Sequence, residues 1–126
     1  MAIIGIGIDV INIFRFKKLI INYGIKIPKK ILSKKELIEY SYTHKKEKFL
    51  AIRFSIKEAI AKAIGISIFK NNFLNNCEIF YNKKKKIQLT TLGYIKKIFK
   101  KSQVKKIFLS VTDSNKHTYA IAILEK

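Results

Sequence analysis

Arg53-Phe54-Ser55-Ile56-Lys57-Glu58-Ala59-Ile60-Ala61-Lys62-Ala63-Ile64-Gly65 is the stretch from which the rest of the chain can be ordered. Laid at about 100° per residue, Ile52, Ile56, Ala59, Ile60 and Ala63 fall on one stripe, the pattern of a helix packed along one side. Its alanines favour helix, and Gly65 supplies a stop signal. Phe54, Glu58, Ala61, Lys62 and Gly65 share the opposite side. One carboxylate and one ammonium stand there beside small residues, which leave room for something to approach the backbone. As an isolated i,i+4 pair, Glu58 and Lys62 would add a few tenths of a kcal/mol to helix stability. Their chemical interest depends on whether Glu58 has a partner elsewhere.

A chain of 126 residues with 48% hydrophobic content reads as one domain, 1–126, with a real core. No apolar run reaches the length of a membrane span. Asp9 interrupts the apolar opening and no basic segment precedes it, which argues against a signal peptide. Cys77 is the only cysteine, so no disulfide framework exists and a reducing, cytoplasmic location is expected. Without CxxC or HExxH, a zinc site is not expected.

Lys+Arg 27 against Asp+Glu 8 gives +19, a balance suited to a polyanionic or acidic partner. Only Arg15 and Arg53 are arginines. Isoleucine, lysine and asparagine dominate and their codons are AT-rich, so an AT-biased genome would raise the lysine count without any selection for binding. The two arginines are therefore the stronger binding candidates, because a guanidinium forks onto phosphate or carboxylate.

In chain order, Ala2 to Val10 reads as a buried strand. Alternation sets Gly5, Gly7 and Asp9 on one side, clearing space that ends in a carboxylate. The GxG lacks the third glycine of a dinucleotide fingerprint. Asp9 is either a cap for the following helix or a site residue. A short amphipathic helix spans about 13 to 22, with Gly24 and Pro28 in the loop after it. Ser33 and Glu36 form a capping box for a helix to about Tyr40. His44 lies in a solvated basic connection. After the long helix come a loop at Asn71–Asn76 and strands at Cys77–Tyr81 and Ile87–Leu89 around the Lys83–Lys86 run. A basic amphipathic helix then turns Leu92, Ile95, Ile98 and Phe99 inward. Two strands close the chain, Lys106–Val111 and Tyr119–Leu124. The order β-α-α-α-β-β-α-β-β is an α+β fold with a mostly antiparallel sheet packed against helices.

Two stretches carry a resemblance. Gly5-Ile6-Gly7-Ile8-Asp9 through Arg15 is similar to the G-x-G-x-D-x-x-x-x-x-R that opens the phosphopantetheinyl transferases. Arg53-Phe54-Ser55-Ile56-Lys57-Glu58-Ala59-Ile60-Ala61-Lys62-Ala63 is similar to that family's R-F-x-x-K-E-A-x-x-K-A. Their spacing, the chain length and the closing strand pair resemble the short bacterial type, the holo-[acyl-carrier-protein] synthases.

The resemblance implies that the 4′-phosphopantetheine arm of coenzyme A is moved to a serine of apo acyl carrier protein, in fatty-acid biosynthesis. Adenosine 3′,5′-bisphosphate would be released. Asp9 and Glu58 would hold Mg²⁺, a cation that suits carboxylates plus phosphate oxygens. Lys62 and Arg53 would contact phosphate, and Gly65 would admit the cofactor to the backbone. Glu58 itself, or a water it orients, would accept the serine proton. Arg15, Phe16 and Leu19 on the first helix would dock the carrier. A homotrimer is implied by the family alone, although a small chain with 25 isoleucines also suggests exposed apolar surface.

The sequence departs from the family where Asp113 replaces a histidine of S-x-S-H, and where Ile66-Ser67 follows Gly65 in place of T-G. Ile52, Asn12 and the Lys83–Lys86 run also differ from the family pattern. These changes leave the metal pair intact and bear on the adenosine end of the site. Two alternatives stand beside the transferase. A basic RNA- or ribosome-associated module explains the charge but not Asp9 and Glu58, and it lacks a stacking motif. An inactive relative explains the departures. The transferase reading expects no nucleic-acid and no membrane partner.

Overall fold

In the computed structural model, which covers residues 1–126, eleven elements follow one another. They are β1 (Ile3–Asn12), α1 (Ile13–Tyr23), α2 (Lys26–Ile31), α3 (Lys34–Tyr42), α4 (Lys46–Ile64) and α5 (Phe73–Asn76), then β2 (Cys77–Tyr81), β3 (Ile87–Thr91), α6 (Gly93–Lys101), β4 (Lys106–Asp113) and β5 (His117–Glu125). The expected α+β class holds, with every strand pairing antiparallel. The expected single sheet is two: β1-β5-β4, and a separate β2-β3 hairpin. No helix is long and apolar enough to cross a membrane.

Two short helices stand where loops were expected. α2 contains Pro28 at its third position, inside the first turn, where a helix needs no N–H from the residue. Pro28 and Ile31 are buried there. The other addition is α5, a single turn whose Phe73 and Leu74 enter the core.

α4 is the central element. It packs on β1, β5 and α1, so it is buried on more than the one stripe that its isoleucines mark. Ala51, Arg53, Ser55, Lys57 and Ala61 are buried alongside Ile56, Ala59, Ile60 and Ala63. Gly65 ends it in the left-handed conformation at φ 84, with its N–H donating to the Ala61 carbonyl.

β1 lies directly on α4. Alternation turns Gly5, Gly7, Asp9 and Ile11 toward the helix and Ile6, Ile8 and Val10 outward. A Cβ built on Gly5 would meet the Ala63 carbonyl oxygen at 1.8 Å. Glycine is thus required for backbone-to-backbone contact between strand and helix.

The outer face of the three-stranded sheet has nothing over it. Ile6, Ile8, Val10, Phe108, Tyr119 and Ile121 are exposed there. The register Ile8↔Ile121 and Val10↔Tyr119 makes this a continuous apolar surface.

Candidate active site

The glycine contacts along β1 bring the next inward residue, Asp9, to the last turns of α4. Its cap role is excluded, because α1 is capped by Asn12, whose side chain accepts from the Phe14 N–H. Lys62 Nζ donates to Asp9 Oδ1 at 3.1 Å and to the Ile8 carbonyl at 3.0 Å. Asp9, Lys62, Ile8, Val10 and Tyr119 line a cavity of about 270 Å³. A larger depression, about 740 Å³, lies beside α2, α3 and α5 and touches none of these residues. Of the candidate site residues, Asp9 and Lys62 line the smaller one.

Burial pushes the Asp9 carboxyl above the ordinary carboxylate range, and Lys62 opposes that rise. Glu58 is half-buried one turn before Lys62. Its carboxyl is also raised, first by burial and then by the negative charge of Asp9. The two carboxylates therefore feel one another across the strand–helix contact. Arg15, exposed on α1, exerts a favourable field on both.

Asp9 Oδ2 is buried with no hydrogen-bond partner. An orphaned carboxylate oxygen beside a second, repelled carboxylate is a donor set that fits a divalent cation. No third acidic, histidine or cysteine side chain joins them. The protein thus offers two hard oxygens and leaves other positions for phosphate or water, the arrangement Mg²⁺ prefers.

Several residues expected at the site sit differently. Arg53 is only 3% exposed and its donors are occupied. It gives Nη1 to Glu36 at 3.1 Å and to the Ile79 carbonyl at 2.8 Å, and Nη2 to Glu39 at 3.0 Å. This corrects Arg53 from phosphate contact to internal tie. Phe16 is 1% exposed and packs at a tilt against Phe54, 5.4 Å between ring centres, so it cannot dock a partner. Leu19 is half-buried. The exposed apolar residues of α1 are Phe14, Ile21 and Tyr23. Gly65 stands in open space, so its backbone is accessible, and its left-handed cap conformation separately favours glycine. Asp113, which stands where the family has a histidine, pairs with Lys48 at 2.7 Å.

A polar cluster on the far side of α4 escaped the sequence. Glu36 accepts from the backbone of Ser33 and Ile79 and from Arg53 and Lys57. Lys57 is fully buried and also donates to the Ile31 and Leu74 carbonyls, each at 2.7 Å. These contacts tie α4 to α2, α3, α5 and β2, which fixes the rotation of α4 that turns Glu58 and Lys62 toward β1. The capping-box signal at Ser33 and Glu36 was the only trace of it in the sequence.

Comparison with known proteins bears on the same residues. The sequence matches the 4′-phosphopantetheinyl transferase superfamily over residues 5–124. It is 40% identical over 126 residues to a holo-[acyl-carrier-protein] synthase of Buchnera aphidicola from Schizaphis graminum, covering 100% of both chains. The fold is similar to the crystal structure of holo-[acyl-carrier-protein] synthase from Neisseria meningitidis, with TM-score 0.94 and 29% identity over 99% of this chain and 100% of that one. It is also similar to a Bacillus anthracis holo-(acyl-carrier-protein) synthase in complex with CoA (3′,5′-ADP), with TM-score 0.78 and 27% identity over 97% and 96% of the two chains. With both motifs and the whole fold inside that match, the chain belongs to the 4′-phosphopantetheinyl transferase superfamily.

Proposed function

We propose that this enzyme transfers the 4′-phosphopantetheine arm of coenzyme A to a serine hydroxyl of an apo acyl carrier protein, in a Mg²⁺-dependent reaction that releases adenosine 3′,5′-bisphosphate. The observation that carries the proposal is the Asp9–Glu58 pair with its orphaned, buried Oδ2. Synthase relatives and a coenzyme A complex of similar fold support the substrates.

Asp9 and Glu58 would hold the cation, which when bound draws charge from the diphosphate and neutralises the leaving phosphate. The serine oxygen forms a bond to the phosphorus nearer the pantetheine, and the bond from that phosphorus to the bridging oxygen breaks. Lys62 would offer its ammonium to a phosphate oxygen. Glu58, directly or through one water, would take the serine proton. Its raised carboxyl makes it a stronger base than an ordinary glutamate. Arg15, exposed close to both carboxylates, would anchor the acidic carrier with Phe14 and Leu19 as apolar neighbours.

A homotrimer is proposed with it. The uncovered face of Ile6, Ile8, Val10, Phe108 and Ile121 is the surface that a second copy would cover. Sedimentation equilibrium reads this directly, and a monomer at every concentration would remove the trimer. For the reaction, apo carrier protein incubated with coenzyme A and Mg²⁺ should gain the mass of the arm, and a chelator should stop the gain. A carrier of unchanged mass would overturn the proposal.

A further inference from the structure

Lys62 is bound at Asp9 in an unbalanced way. Its Nζ takes Oδ1 of Asp9 at 3.1 Å and leaves Oδ2 buried and unsatisfied. The carboxylate side chain is 10% exposed, whereas the lysine side chain is 49% exposed. Here one oxygen has a cation and the other has no partner, while the Asp9 charge also acts on Glu58.

Resting on the metal-dependent reading above, we propose that Lys62 is a positioning residue that serves as the counter-ion of Asp9 before the metal arrives. It holds the carboxylate oriented in the free enzyme. It releases Oδ1 when a divalent cation engages Asp9 and Glu58, and its ammonium is then free for phosphate. The release costs little. Lysine is a point charge on a flexible stem, and this one is half in water. Its second acceptor, the Ile8 carbonyl, belongs to a strand at the edge of its sheet, so water replaces the lost hydrogen bond. Glu58 cannot fill the counter-ion role, having the same charge as Asp9. Arg15 acts on Asp9 only through its field, without a hydrogen bond.

The consequence is competition between Lys62 and metal for one carboxylate. Mn²⁺ binding to the full chain, read by electron paramagnetic resonance without coenzyme A, tests it. Lys62→Met should tighten Mn²⁺ binding roughly two- to fivefold, the range a partly exposed ion pair commands. Lys62→Arg should stay near wild type, and Asp9→Asn should lose binding. In the wild type, amine labelling of Lys62, mapped by peptide mass spectrometry, should rise when Mn²⁺ is added. If Lys62→Met binds no more tightly while Asp9→Asn still loses the metal, the counter-ion role is overturned and the metal site stands. Labelling that stays flat has the same meaning. If Asp9→Asn binds Mn²⁺ as wild type does, the metal reading fails first. Lys62→Gln carries the same comparison should Lys62→Met not fold.

Discussion

Gly7 and Ala59 touch through their backbones: a Cβ added to Gly7 would stand 1.8 Å from the Ala59 carbonyl oxygen and 2.8 Å from the Ala63 nitrogen. The obstacle is backbone on both sides, so no side-chain rotation relieves it. Gly7→Ala should cost about 3 kcal/mol or more, at or above the top of the range for overpacked cores. It should also weaken Mn²⁺ binding, because the strand must lift from α4 and carry Asp9 with it. Urea unfolding measures the first effect. Wild-type stability in this variant would contradict the contact.

Glu36→Ala should destabilise the chain more than any single lysine-to-alanine change on the surface. It leaves Lys57 and Arg53, 0% and 3% exposed, without the carboxylate between them. Removing one partner of a buried ion pair costs roughly 3–5 kcal/mol. Chemical denaturation of Glu36→Ala beside Lys84→Ala provides the comparison. Equal losses in the two would mean that the cluster is energetically idle.

Cys77 supplies a pH test. Burial pushes its thiol from 9.0 up to about 12. An acid raised on folding contributes stability that is complete below its unfolded value and is lost as pH climbs toward its folded one. The stability of wild type relative to Cys77→Ala should therefore be constant below pH 9 and fall between pH 9 and about 12. In the native protein the thiol should also resist iodoacetamide at pH 8, reacting only on unfolding. Rapid native labelling would show that the thiol is accessible and the burial argument wrong.

Arg15→Ala should raise KM for the carrier several-fold and leave KM for coenzyme A nearly unchanged. Neutralising two lysines of the Lys83–Lys86 run should do much less, since exposed distant charges are screened over about 8 Å at physiological salt. Steady-state transfer with each substrate varied in turn separates the two. An equal loss from the lysine-run variant would make docking diffuse attraction. Tight RNA binding at physiological salt with neither variant affecting transfer would favour a basic nucleic-acid module instead.

What the sequence revealed was local. Alternation in β1 put Gly5, Gly7 and Asp9 on one side, and helical spacing put Glu58 and Lys62 on one face, although Lys62 pairs with Asp9 rather than with Glu58; both placements follow from backbone periodicity. What it hid was long-range. Glu36 meets Arg53 across 17 residues, Lys57 across 21 and Ile79 across 43. Arg53 read as a phosphate contact and Lys57 had no assigned place, because charged residues usually face solvent or a ligand. A helix packed on several sides breaks that rule by pairing its charges internally. Phe16 failed as a docking residue for a related reason: α1 is amphipathic, and its phase turns Phe16 onto Phe54. Asp113 read only as a departure from the family histidine, because Lys48, 65 positions earlier, is invisible as its partner in one dimension.

The transfer of the arm to the carrier with Asp9 and Glu58 intact or altered tests the central claim most directly. Apo acyl carrier protein, coenzyme A and saturating Mg²⁺ are incubated with wild type, Asp9→Asn or Glu58→Gln, and the carrier is weighed by mass spectrometry. Circular dichroism establishes that each variant is folded. Wild type should convert the carrier, and both variants should leave it at its starting mass. Near-normal conversion by either folded variant would contradict the assignment of the pair as the metal-holding centre of the reaction.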